Sequence, residues 1–134
     1  MTSHEFRLTA ELPMVPVPFG SIRQIVVPAT TSARNLVILE GIIQPGQGHD
    51  FHKHPRQEEV IYVKSGSIEQ WVGKQKRILG PGDAVLIPPG TVHASFNAGS
   101  SDAALLAIFG PAIGDGFETV EMAEESPWRE LRRP

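Results

Sequence analysis

At 134 residues the chain is long enough to bury one core and too short for two full domains. Its apolar fraction of 40%, formal net charge of −3 and lack of cysteine describe an ordinary globular domain; they exclude disulfides, zinc-thiolate and iron–sulfur sites and a cysteine nucleophile, and they argue against nucleic acid as a partner, which calls for clustered basic residues. No apolar run approaches the ~20 residues that span a bilayer, and "MTSHEFRLTAELPM" carries Glu5, Arg7 and Glu11 where a secretory signal would be continuously apolar, so no membrane role and a cytoplasmic setting are expected.

Residues 1–20 read as an N-terminal arm. His4 is expected to be solvated there, and "LPMVPVP" (12–18) suits an extended arm better than a central strand, because proline cannot donate to a ladder. From 21 to 116 the glycines and prolines fall between short apolar runs. "SIRQIVVP" (21–28), "NLVILEGIIQP" (35–45), "EEVIYVKSG" (58–66), "SIEQWVG" (67–73), "KQKRILGPG" (74–82), "DAVLIPPG" (83–90), "TVHASFNAG" (91–99) and "AALLAIFGP" (103–111) each read as a strand closed by turn residues. Residues 49–54 read as one more. No 3.6-residue stripe is sustained, and the spacing is that of an antiparallel sandwich or barrel. Residues 117–134 lose the strand pattern. Ser126 before Pro127 predicts the cap of a short terminal helix with Trp128 packed inward, and "RELRR" (129–133) its solvated end.

Chemistry concentrates in "HDFHKHPRQEEV" (49–60). Side chains two apart on a strand share a face, so His52 and His54 point together, with Asp50 on the same side; His49 is out of phase unless the strand bends at Asp50. Pro55 interrupts the strand. Downstream, Glu59 shares a face with Ile61 and Val63, whereas Glu58 shares one with Val60, Tyr62 and Lys64; Glu59 is therefore the inward carboxylate. By themselves a His-x-His pair and two adjacent glutamates are equally at home on a solvated strand.

A second block, "GDAVLIPPGTVHASFN" (82–97), places His93 just after a Pro-Pro-Gly turn. Together the blocks resemble the cupin family. Gly46, His52, His54, Glu59 and Gly66 match its first pattern, and Gly82, Pro88, Gly90, His93 and Asn97 its second. The resemblance implies an all-β double-stranded β-helix, a jelly-roll barrel, over residues 21–116. It also implies one divalent transition metal ion (iron, manganese, nickel, copper, cobalt or zinc) held by His52, His54, Glu59 and His93. Such a set leaves two positions of an octahedral ion open to a small molecule. "HKHPR" further resembles the germin-like cupins, but their other pocket residues are lacking, so oxalate chemistry does not carry over.

Strand phase also suggests the pocket. Ile68, Gln70 and Val72 share one face, Val85 and Ile87 another inward face, and Ser95 follows His93 in phase. Gln70, Ser95, Ile61 and Val63 are the candidate substrate-pocket residues; Asp50 and Gln70 are the candidate catalytic ones, with turn and backbone-satisfying roles as their alternatives. Arg56 and Gln57 fall between ligands, where they could form a rim. The expected function is a metal-dependent enzyme of oxygenase, dioxygenase-like or isomerase/lyase type acting on a small oxygenated molecule. The alternative is a non-catalytic ligand-binding or structural cupin. Val60, Tyr62 and Trp71 face outward in this phasing and need cover, which predicts a homodimer.

Overall fold

The protein is described by a computed structural model covering residues 5–132; His4, Arg133 and Pro134 lie outside the described residues. Eleven strands appear among them: β1 (Val15–Val17), β2 (Gly20–Val26), β3 (Val37–Ile43), β4 (Gly48–Lys53), β5 (Glu58–Ser65), β6 (Ile68–Val72), β7 (Gln75–Leu79), β8 (Ala84–Ile87), β9 (His93–Phe96), β10 (Ala103–Gly110) and β11 (Val120–Glu121), followed by helix α1 (Trp128–Leu131). They form two antiparallel sheets, a six-stranded one in the order β1-β2-β3-β10-β5-β8 and a five-stranded one in the order β11-β4-β9-β6-β7. This is the jelly-roll arrangement, and every strand anticipated from the turn spacing is present.

The proline-rich arm supplies β1, which pairs with β2 at the sheet edge with Val15 opposite Ile22. An edge tolerates Pro16, whose missing N–H leaves no ladder bond unmade in a central position. The short β11 was not anticipated. Val120 and Glu121 pair with Lys53 and His52, extending the sheet beside the histidines.

Inward side chains of the two sheets make the core. Ile43, Ile61, Val63, Ile68, Leu79, Ile87, Ala103 and Leu105 fill one end, and Val27, Val37, Leu39 and Phe109 the other. The turn from β5 to β6 requires glycine at 66, with φ of +72° and a would-be Cβ only 2.5 Å from the Asp102 carbonyl oxygen. Asn97 plays a structural part: its amide donates to the carbonyls of Ile43 and Ser101, both at 2.8 Å, and its side-chain oxygen accepts from the Gly99 N–H.

The outer face of the five-stranded sheet carries a third cluster: Phe51, Trp71, Val92, Ala94 and Phe96. Trp71 does point away from the barrel interior, beside Glu69, as its phase predicts. Its cover, however, comes from the chain itself. Met122, Ala123, Trp128 and Leu131 pack over the cluster, the Trp71 indole N–H donates to Glu69 at 2.7 Å, and Arg132 bonds the same carboxylate. A partner subunit is not needed there. Helix α1 starts one residue later than Ser126 would place it: Pro127 occupies the cap position, and the Ser126 hydroxyl instead donates to Glu130 at 2.8 Å.

Candidate metal centre

Glu59 and His93 are set by their strands, and His52 and His54 by β4 and its exit. In β5 the burial alternates from exposed Glu58 to buried Glu59, Ile61 and Val63, so the carboxylate enters the barrel. His52 lies opposite His93 across the β4–β9 ladder. His54 follows just after β4, on the same side as His52, and is equally buried.

One candidate ligand atom from each of His52, His54, Glu59 and His93 falls within 4.8 Å of the others. Each ring is oriented by its second nitrogen. His52 Nδ1 lies 2.6 Å from the Asp50 carbonyl oxygen, His54 Nδ1 2.8 Å from that of Glu118, and His93 Nδ1 2.9 Å from that of Thr91. A carbonyl can only accept, so each Nδ1 carries the proton and each Nε2 keeps its lone pair for the centre. The Nε2 atoms of His54 and His93 approach Glu59 Oε1 to 3.2 and 2.9 Å, yet none of the three is aligned in a hydrogen bond, although all are buried. Buried polar atoms without partners are costly, and three converging on one point fit a divalent cation that would satisfy all of them.

The four groups are also coupled electrostatically. Burial works to raise the Glu59 carboxyl, but His54 and His93 beside it prevail and hold it below its ordinary value. Burial likewise opposes the charged form of His54, and here Glu59 outweighs it, so His54 is raised. His52 is lowered, by burial first and then by its histidine neighbours.

The family profile described as "Cupin domain" matches residues 39–109, just over half of the chain. The chain belongs to the cupin family. Protein SchB of Streptomyces halstedii is 29% identical over 113 residues, covering 83% of this chain and 82% of SchB. The polyketide synthase CurC of Streptomyces cyaneus is 27% identical over 92 residues, which are 69% of this chain and 60% of CurC. Among solved structures, the S161A mutant of the Bacillus subtilis oxalate decarboxylase OxdC superposes with a TM-score of 0.73 over 86% of this chain at 19% identity. The match spans only 31% of that longer protein and speaks to the fold alone.

In this cupin a cavity opens onto the four residues. Ile61 and Ser95 line it together with Leu39, Ile43, Leu105 and Phe109. Val63 is buried in the core behind it. Gln70 corrects the sequence reading: it is inward and buried but does not line this cavity. Its Oε1 accepts from Ser95 at 2.6 Å and its amide donates to the Trp71 carbonyl at 3.0 Å, so it meets the site only through Ser95; its other side faces a second cavity beside Lys76 and Arg77.

Asp50 and His49 are exchanged relative to expectation. The β4–β9 pairing runs His49 to Ser95 and then His52 to His93, so Asp50 and Phe51 together face the single residue Ala94. This bulge swings Asp50 outward, where it is exposed and accepts from the Phe51 N–H at 2.8 Å. It also brings His49 into the cavity, its ring 3.6 Å from that of His52 and nearly parallel, with Phe19 stacked on the other side at 5.2 Å. Burial pushes the His49 imidazole down to about 4, against the opposing pull of Glu59.

Sequence reasoning missed the strap formed by residues 111–119. Gln57, nearly inaccessible, donates to the carbonyls of Pro111 (2.8 Å) and Gly116 (3.1 Å) and accepts from the Glu118 N–H (3.0 Å). Arg56 is exposed and paired with Glu118 through two hydrogen bonds of 2.9 and 3.1 Å. The strap thus delivers the Glu118 carbonyl to His54 and Phe117 to the cavity mouth. Only the run of polar residues after Pro55 hinted at it.

Proposed function

We propose that this cupin is a metal-dependent enzyme acting on a small oxygenated organic molecule, with one divalent transition metal ion held by His52, His54, Glu59 and His93. The observation that carries the reading is the set of buried, unpartnered Nε2 and Oε1 atoms converging at the wall of a cavity. Once bound, the ion would act as a Lewis acid toward an oxygen donor of the substrate, as oxygenase and isomerase/lyase chemistry both require. The chain's own contribution is orientation. The carbonyls of Asp50, Glu118 and Thr91 fix the three rings, the apolar wall excludes water, and His49 and Ser95 are the polar side chains left to meet the substrate. The name of CurC supports an organic substrate of polyketide type over an inorganic one.

A homodimer completes the proposal. Strand register brings Val60, Tyr62, Leu86, Leu106, Ile38 and Ile42 together on the outer face of the six-stranded sheet, with Tyr62 and Leu86 exposed. The lack of cysteine fits a cytoplasmic workplace; among the described residues no helix is long and apolar enough to cross a membrane.

The test is elemental analysis of protein purified without added metal, followed by oxygen-uptake and product screens against catechols, diketones and small keto acids. Bound metal with turnover of one class is the expected result. Stoichiometric metal without turnover or ligand binding would favour the structural alternative.

A further inference from the structure

Resting on the metal centre proposed above, the cavity chemistry narrows the substrate. We infer that the site takes a flat, largely apolar, one-ring molecule with a single oxygen-donor head, and that it discriminates against small dicarboxylates such as oxalate.

Charge is the first argument. Among the described residues no lysine or arginine lines the cavity. The nearby cations are engaged elsewhere: Arg56 with Glu118 on the surface, and Arg23 and Lys64 with Glu40 on the outer side of the sheet. A divalent ion held by one carboxylate and three neutral imidazoles retains a single net positive charge, which one anionic head neutralises. The outer oxygens of a chelated oxalate would face Leu39, Ile43, Ile61 and Leu105 with only the His49 imidazole left to donate, and excess negative charge against apolar walls is strongly disfavoured. Ser95 offers little relief, because its hydroxyl proton is already given to Gln70.

Shape is the second. A stack of three rings and a stacked pair line the cavity. Phe19 lies on His49, which lies on His52; Phe117 lies on Phe109 at 4.8 Å and 8°, and the His54 ring stands nearly perpendicular to both. Aromatic faces and edges at that spacing favour a ring as guest. The cavity volume of about 100 Å³ leaves no room for a guest larger than a single ring. Phe117, more than one-third exposed while lining the cavity, stands where it opens to solvent.

Two chelators that share a head but differ in their tail provide the test. Cobalt(II)-loaded protein is titrated with benzohydroxamate, acetohydroxamate and oxalate, and the cobalt absorption spectrum reports binding while metal content is checked after each titration. Benzohydroxamate should bind at least about tenfold more tightly than acetohydroxamate, because the ring replaces a methyl group against apolar walls, and oxalate should bind most weakly. Phe117→Ala should keep its cobalt and its acetohydroxamate affinity while losing most of the benzohydroxamate advantage. Equal affinities for the two hydroxamates, or tighter oxalate binding, would overturn the substrate class and leave the metal centre standing. Failure to take up cobalt would overturn both.

Discussion

Glu58 and Glu59 are adjacent and chemically alike, yet one is exposed and the other buried among three histidines. A single step of strand register separates them, since a slip of one residue would exchange every side chain between the faces. Glu40 shows the same sensitivity on the outer side of the sheet. Burial would raise its carboxyl, but the bonds and charges of Lys64 and Arg23 prevail and hold it below its ordinary value. A folded pKa below the unfolded value means that this stabilisation is complete above about pH 4.3 and fades as pH falls through the lower, folded value. Glu40→Gln should therefore lose on the order of 2 kcal/mol near neutral pH and show a flatter acid limb below pH ~4 in urea unfolding curves. An unchanged acid limb would place the acid sensitivity in other carboxylates. Gln57 offers a second case. Gln57→Ala leaves the Pro111 carbonyl and the Glu118 N–H of the strap without this partner, while the Gly116 carbonyl keeps the Ile113 N–H, and we expect a loss of about 1–3 kcal/mol in the same unfolding measurement. A cost of a few tenths would mean that water replaces the amide.

Alternation made the elements readable. Apolar and polar residues alternate in β5, and turn glycines and prolines close each strand, so strand existence and inward faces follow from local sequence. The β4 bulge could not be read that way. Asp50 and Phe51 together oppose Ala94, and nothing in "HDFH" announces the extra residue; consequently His49 and Asp50 exchange sides. Gln70 followed its strand phase correctly but is shielded from the metal cavity by Ser95, a partner 25 residues away. The cover over Trp71 is likewise long-range, coming from residues 122–132. Removing the chain after Glu125 should uncover Phe51, Trp71 and Phe96, lowering Tm and raising binding of an apolar dye. Metal stoichiometry should persist, because the candidate ligands lie inside the barrel, His52, His54 and His93 on the opposite face of that sheet and Glu59 on the facing six-stranded sheet. Unchanged dye binding would show that Met122 and Ala123 cover the cluster alone.

For the whole molecule, both sequence blocks resemble the cupin patterns position by position, which is why the fold was legible from a third of the chain. What covers the outer face of the six-stranded sheet was not. Tyr62 and Leu86 remain exposed beside half-buried Val60 and Leu106, so sedimentation should give a dimer of the 14.6 kDa chain, and Tyr62→Glu should dissociate it. A wild-type monomer at high concentration would contradict that assembly. The central claim is the four-residue metal centre, and metal stoichiometry of single alanine variants tests it most directly. Wild type, Glu58→Ala and His49→Ala should carry about one equivalent of divalent metal, while His52→Ala, His54→Ala, Glu59→Ala and His93→Ala should each lose most of it while remaining folded. Full metal occupancy in Glu59→Ala or His93→Ala would contradict the account.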